Sequence, residues 1–311
     1  MLKTQHYREN DIRHERIYEP IDFELTEIIK ADKTIKINED RINYSKDNKE
    51  KKQNMLIWQN NLEAPITKGI NNLSNTCYLN SVLQILLNTP PVYNIIKKGT
   101  DLKYKSNSKI NLNNILKELV NAGRNKIMTP SYLVNNLHFL DRRFTRGKQQ
   151  DAHEFYLLMM NNISEFITNY FKGKLKSQVI CPKNHISETE EIFFNLSLPI
   201  NNNGTVKNSL NAFFQPSSRI KGYKCQGCKR ETDIIKKYVP YINPDILVLH
   251  LTRFDRSGRK IQKHIPFDFE LKFNNDDYVL YGTIEHLGST INFGHYIAYI
   301  HGANGIWYKV K

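Results

Sequence analysis

Residues 71–91 read Asn-Asn-Leu-Ser-Asn-Thr-Cys-Tyr-Leu-Asn-Ser-Val-Leu-Gln-Ile-Leu-Leu-Asn-Thr-Pro-Pro. Leu79, Val82, Leu83, Leu86 and Leu87 fall at offsets 0, 3, 4, 7 and 8, the spacing of one face of an α-helix. Thr76 can cap that helix, and Pro90-Pro91 stops it. Cys77 then occupies the first helical position, where unpaired backbone N–H groups and the positive end of the macrodipole favour a thiolate. A small buried thiol fits the same position, and only a base elsewhere in the chain decides between the two.

A second helix fits residues 151 to about 166: Asp151 with Glu154 resembles a capping box, and Phe155, Leu158, Met159 and Phe166 share a face. Helices thus dominate the first half. Beyond about residue 180 come short runs rich in Ile, Val, Tyr and Phe, such as 245–251 and 278–281, which predict antiparallel strands. Residues 1–60 are polar and charged, with the run Lys-Asp-Asn-Lys-Glu-Lys-Lys at 46–52, and are expected to form a mobile extension. From 66 to 311 periodic segments alternate with turn signals, without a linker or internal repeat, as one composite domain of α+β class.

The 311-residue chain is long enough to bury a large core. Its 45 Lys and Arg against 31 Asp and Glu, a formal charge of +14, would favour an anionic partner. The basic residues scatter along the whole length, however, and neither a Gly-rich phosphate loop nor a repeating basic-aromatic pattern occurs, so nucleic acid is set aside as a partner. The first ten residues lack the apolar core of a secretory signal, and no stretch approaches the roughly 20 apolar residues of a membrane span. A soluble protein of the cytoplasm or nucleus, with no membrane partner, is expected. Four cysteines in so long a chain make a poor disulfide framework and point to catalytic or metal-binding thiols.

Near the other end, Asn292-Phe-Gly-His-Tyr-Ile-Ala-Tyr-Ile300 sets His295 behind a glycine at the start of a strand pattern, and Gly294 leaves room for a backbone or ligand to approach. Alone, His295 is either a structural strand residue or a general base. Paired with Cys77, it would take the thiol proton and return it to a leaving amine. Cys225-Gln-Gly-Cys228 is a C-x-x-C knuckle, half of a zinc-ribbon site whose partner should lie some tens of residues away.

Several long blocks in one order make the reading specific. Residues 69–84, Gly-Ile-Asn-Asn-Leu-Ser-Asn-Thr-Cys-Tyr-Leu-Asn-Ser-Val-Leu-Gln, resemble the cysteine box of the ubiquitin-specific proteases, the papain-like cysteine deubiquitinases. Gln149-Gln-Asp-Ala-His-Glu-Phe155, Leu249-His-Leu-Thr-Arg-Phe254, Tyr281-Gly-Thr-Ile-Glu-His-Leu-Gly288 and Gly294-His-Tyr296 follow in the order and spacing of that family. The resemblance spans about residues 66 to 311. It implies a helical thumb holding Cys77, an antiparallel β palm holding His295, and β fingers.

Carried over residue by residue, Cys77 matches the nucleophile and His295 the base. Asn72, five residues before the cysteine, matches the side chain that helps bind the oxyanion, although by itself it reads equally as a turn residue bonding its own backbone. Gln149, Gln150 and Asp151 match the block lining the path of the ubiquitin tail; Asp151 serves equally as a helix cap, and the two roles are compatible. His153 and Phe155 read as structural. The family's second metal pair precedes a Leu-Ser-Leu-Pro run, found here at 196–199, but the residues before it are Cys181-Pro-Lys-Asn-His185. His185 could complete a Cys₃His tetrahedron with Cys181, Cys225 and Cys228 around a structural zinc, or the site holds free thiols. Catalysis of this type calls for no cofactor.

Two departures stand out. Ser74 occupies a position where most relatives have glycine. The family orients its histidine with an Asp or Asn four residues after a tryptophan; here that tryptophan is Trp307 and the matching position is Lys311, which cannot accept the imidazole N–H and whose charge disfavours imidazolium. If Asn304-Gly305 make a two-residue turn, Ala303 faces Ile306 and the partner of His295 falls at about position 314, whereas a longer turn brings it back toward Lys311. The family's last strand is expected to be missing, which leaves an open sheet edge. The resemblance implies a thiol-dependent deubiquitinase cutting after the C-terminal glycine of ubiquitin, with ubiquitin and ubiquitinated proteins as partners. The alternatives are a catalytically impaired ubiquitin-binding relative and a protease for another ubiquitin-like protein.

Overall fold

A computed structural model of the chain describes residues 18–20, 68–98, 110–123, 126–200, 204–255, 257–290, 293–301 and 307–310. Helices come first. The motif helix α1 spans Cys77–Leu87 and is followed by α2 (Pro90–Lys98), α3 (Leu112–Gly123) and α4 (Ser131–Asn136). Leu79, Val82, Leu83, Leu86 and Leu87 are all buried, as the spacing predicts. The two prolines do more than stop α1. The helix ends at Leu87, and Pro90 and Pro91 open α2, where a proline's missing N–H and fixed φ cost nothing.

The helix expected to run from Asp151 to about Phe166 is in fact two. The first, α5, spans Ala152–Asn162, with Asp151 as its N-cap accepting from the Glu154 N–H at 2.9 Å. Ile163 then turns extended, and the Ser164 side chain caps a short α6 (Glu165–Thr168) by accepting from Phe166 N–H. The break rotates Phe166 off the shared face and leaves it 56% exposed. One core unites α1 to α5 and reaches Ile246 and Tyr296 from the second half of the chain.

The second half is mostly antiparallel sheet, as expected. In order come β2 (Gly173–Ile180), β3 (Ile186–Phe193), β4 (Leu196–Leu198), helix α7 (Val206–Phe213), β5 (Ile220–Cys225), β6 (Arg230–Ile242) and β7 (Leu249–Leu251). The sheet β3-β2-β6-β5 forms two hairpins side by side, while β4 and β7 make a short parallel pair. A small hairpin, β8 (Glu270–Phe273) with β9 (Asp276–Val279), leads into β10 (Gly282–Thr290), β11 (Phe293–His301) and β12 (Trp307–Val310).

In the last sheet β11 lies between β10 and β12. His301 pairs with Trp307 and Ala298 with Val310. That register differs by one residue from the expected two-residue Asn304-Gly305 turn, because five residues, 302–306, separate the paired ends and lie outside the described residues, as does Lys311. The edge expected to be open is occupied: β1 (Tyr18–Pro20) pairs antiparallel with β12, Glu19 opposite Lys309. The rest of the 1–60 segment lies outside the described residues. No described helix is long and apolar enough to cross a membrane.

Candidate active site

The site is built from the loop that feeds α1. Ser74 and Asn75 both take left-handed backbone, with φ of 66° and 58°, so the chain reverses between Asn72 and Thr76. Left-handed φ disfavours a Cβ, which explains why glycine suits position 74 better than the serine found here. The Asn72 Oδ1 accepts from the Thr76 N–H at 2.9 Å and from the Thr76 hydroxyl at 3.1 Å, while that hydroxyl accepts from the Leu73 N–H at 2.9 Å.

Thr76 therefore does not cap α1 with its side chain, contrary to expectation; its hydroxyl is committed backward to the loop. Only its carbonyl joins the helix, accepting from Asn80 N–H at 2.9 Å and leaving Cys77 at the first helical position. Because a backbone N–H can only donate, these bonds fix the amide of Asn72 with its oxygen turned inward and its Nδ2 facing the other way. The loop is also tied from below. Asn80 Nδ2 donates to the carbonyls of Ile70 and Asn71, and Gln84 Nε2 to that of Lys68.

Cys77 is 6% exposed and belongs to the same buried core as Tyr296. The helix α1 packs on β11, the strand that carries the half-buried His295 at its third position. Gln149 and Asp151, just ahead of α5, reach the same strand: Gln149 Oε1 accepts from the Gly294 N–H at 3.1 Å, and Asp151 Oδ2 accepts from the Tyr296 hydroxyl at 3.1 Å. Burial, reinforced by the Asp151 carboxylate, pushes the Tyr296 phenol above the ordinary tyrosine range, so it stays a donor. Gln150 turns aside, its Nε2 donating to the Arg143 carbonyl at 2.7 Å.

Sequence reasoning did not anticipate three sets of contacts near this site, those of Thr76, of His286 and of the His153–His250 pair. Thr76 orients Asn72, as described. His286 on β10 lies opposite Tyr296, their ring centroids 4.7 Å apart, with the Lys260 ammonium donating to its carbonyl. Burial, with Lys260 nearby, holds His286 below the usual histidine range. His153, read as structural, stacks on His250 of β7 with centroids 3.7 Å apart and planes within 9°, and Ser197 Oγ lies 3.2 Å from His250 Nδ1. Burial, then the stacked His153, brings His250 down to about 4. The sequence signal for all three is their place inside quoted blocks, whose spacing cannot say what each side chain touches.

The four residues singled out for a metal converge. Cys181 and His185 lie at the β2–β3 turn, Cys225 and Cys228 at the β5–β6 turn, and their ligand atoms all fall within 4.8 Å of one another. His185 Nδ1 lies 3.5, 3.7 and 3.3 Å from the sulfurs of Cys181, Cys225 and Cys228, and the Cys181 and Cys228 sulfurs are 3.7 Å apart. Zinc bonds of about 2.3 Å to sulfur and about 2.0 Å to nitrogen give tetrahedral edges of roughly 3.8 and 3.5 Å, so the cluster fits that ion. Gly227 has no room for a side chain, because a Cβ there would strike the His185 ring.

A cysteine on the first turn of a thumb helix, packed against a palm strand that bears a histidine, with a cysteine-rich pair of hairpins set apart, is the layout of a papain-like thiol hydrolase of the ubiquitin-specific type. The family model described as ubiquitin carboxyl-terminal hydrolase matches residues 68–311. The chain belongs to the ubiquitin carboxyl-terminal hydrolase family.

Among curated relatives, it is 28% identical over 280 residues to ubiquitin carboxyl-terminal hydrolase 23 of Arabidopsis thaliana, covering 79% of this chain and 33% of that one. It is 28% identical over 292 residues to human ubiquitin carboxyl-terminal hydrolase 42, covering 82% of this chain and 22% of that one. The chain thus spans about a third and about a fifth of these relatives' lengths. Among solved structures, it resembles a chain of the SAGA DUB module Ubp8/Sgf11/Sus1/Sgf73 bound to monoubiquitin, with TM-score 0.70 and 26% identity over 85% of this chain and 69% of that one. The same module bound to ubiquitin aldehyde matches with TM-score 0.68 at 24% identity, a likeness of fold.

Proposed function

We propose that this chain is a deubiquitinase that hydrolyses the isopeptide or peptide bond after the C-terminal glycine of ubiquitin, in ubiquitinated proteins. The observation that carries the reading is the Cys77 helix start packed on the His295 strand, beside an Asn72 amide held with its nitrogen turned outward. His295 takes the Cys77 proton as the sulfur attacks the glycine carbonyl. The charge that develops on the carbonyl oxygen is met by Asn72 Nδ2 and by backbone N–H groups at the start of α1. Collapse breaks the C–N bond: the amine departs with the proton from His295, and ubiquitin's C-terminal glycine stays behind as a thioester on Cys77. Water, deprotonated by His295, then releases the ubiquitin carboxylate and restores the thiol.

Gln149, Gln150 and Asp151 flank the route by which the Gly-Gly tail would reach Cys77. A cysteine cluster of the metal-binding type fits a reducing compartment, cytoplasm or nucleus. Ubiquitin carrying an electrophile at its C-terminus tests the reading: the intact mass should rise by one ubiquitin, with the bond mapped to Cys77. Labelling spread over Cys181, Cys225 and Cys228, or none at Cys77, would overturn it.

A further inference from the structure

Two hydrogen bonds join thumb to palm on either side of His295. Gln149 bonds to the N–H of Gly294, and Asp151 to the hydroxyl of Tyr296. The two-residue step from 149 to 151 matches the step from 294 to 296, so the histidine is the single residue between two pins. Each pin stands on fixed structure. Asp151 spends its other oxygen capping α5, and Tyr296 is buried in the core it shares with Cys77.

Gly294 is confined as well: a methyl there would run into the Leu287 carbonyl and the His286 ring. The β10–β11 ladder supplies regular pairing only as far as Leu287 opposite His295, and its register shifts before Thr290 pairs with Phe293. The Gly294 N–H lies inside that irregular step, and Gln149 takes it up.

We infer that Gln149 and Asp151 are positioning residues for the base, fixing the backbone on both sides of His295 relative to the Cys77 helix through Gly294 and Tyr296. The inference rests on the Cys77–His295 reading above. An imidazole on the last regular pair of a hairpin can shift with the bulge beside it, and a displacement near 1 Å costs a general base up to about a hundredfold in rate. Two bonds from the thumb, one on the main chain and one on the next side chain, oppose that shift without touching the ring.

The test has two arms. The first is the pH dependence of Cys77 alkylation by iodoacetamide, read at the Cys77 peptide by mass spectrometry, which needs no substrate. In Gln149→Met and Tyr296→Phe the acid limb should move to higher pH by about one unit, because a displaced imidazolium stabilises the thiolate less. The second is turnover of ubiquitin bearing a fluorogenic C-terminal amide: kcat should fall about tenfold with KM within about twofold, and Gln149→Glu, which keeps the acceptor, should stay within about threefold of the parent. A raised KM with kcat and the alkylation limb unchanged would overturn the inference and make both side chains direct ubiquitin contacts. An active parent with no change in either variant would also overturn it. A parent whose Cys77 titrates as an ordinary thiol and turns nothing over would sink the underlying reading, and the positioning role with it.

Discussion

At the residue scale, Thr76 gives the sharpest expectation. Its hydroxyl saturates the Asn72 oxygen and satisfies the Leu73 N–H. Thr76→Val keeps the shape and removes both hydroxyl bonds while the Thr76 N–H still donates to Asn72 Oδ1, so the amide keeps its orientation but is held less firmly. Loss of an oxyanion donor costs about a hundredfold or more in kcat, and a loosened one should cost roughly three- to tenfold, with KM little changed and Thr76→Ser restoring the rate. Kinetics on a fluorogenic ubiquitin substrate check this; a Thr76→Val enzyme with parental kcat would show that Asn72 needs no such support. Cys77, His295 and Asn72 are candidates for nucleophile, base and oxyanion donor because long motifs name them by position. The bond between Thr76 and Asn72 was not legible in the sequence, since a threonine just before a helix is ordinarily a cap and nothing in the spacing shows that its hydroxyl turns backward.

Elements carry the next two expectations. The first concerns the stack of His153 on α5 against His250 on β7, with Asp151 near enough to favour the charged form somewhat. Folding lowers the pKa of His250 from 6.5 to about 4. As pH falls, the unfolded chain therefore takes up this proton first, so the contribution to stability is complete above about 6.5 and is lost between there and about 4. The loss is on the order of 3 kcal/mol. Urea unfolding from pH 7 to 4.5 should show a steeper decline for the parent than for His250→Gln; equal slopes would contradict the buried neutral histidine.

The second concerns the tips of the β2–β3 and β5–β6 hairpins, which the Cys₃His cluster joins. Purified protein should carry about one zinc per chain, and Cys228→Ser should lower both the metal content and the thermal midpoint, because metal binding is part of the folding free energy. Metal-free protein with an unchanged midpoint would contradict a structural ion. The Cys225-x-x-Cys228 half of this site was plain in the sequence. The Cys181/His185 half became so only through the Leu-Ser-Leu-Pro run beside it. Element ends were harder to read. The apolar face of α5 continues in phase to Phe166, and only the Ser164 cap shows that the helix stops and restarts. The β11–β12 register depended on a turn length that one Asn-Gly pair did not determine.

At the scale of the whole molecule, the helical first half and sheet second half followed from periodicity, while the contacts that make them one machine did not. Gln149 and Gly294 are 145 residues apart, as are Asp151 and Tyr296. Partners so distant along the chain leave no periodic trace. The same is true of the sheet edge, where Tyr18–Pro20 lies beside β12 although Tyr-Glu-Pro carries no strand pattern of its own. The core that gathers α1, α5 and Tyr296 is what brings the thiol and the imidazole strand together, so the proposed catalysis would depend on the packed thumb and palm rather than on either motif alone.

The most direct measurement is release of a fluorophore from the C-terminus of ubiquitin by this chain, beside Cys77→Ala. Turnover by the parent that vanishes in Cys77→Ala, with ubiquitin still bound by both, is the expected result. Ubiquitin bound equally by both proteins, with no turnover by either, would contradict it and leave a ubiquitin-binding member of a hydrolase family.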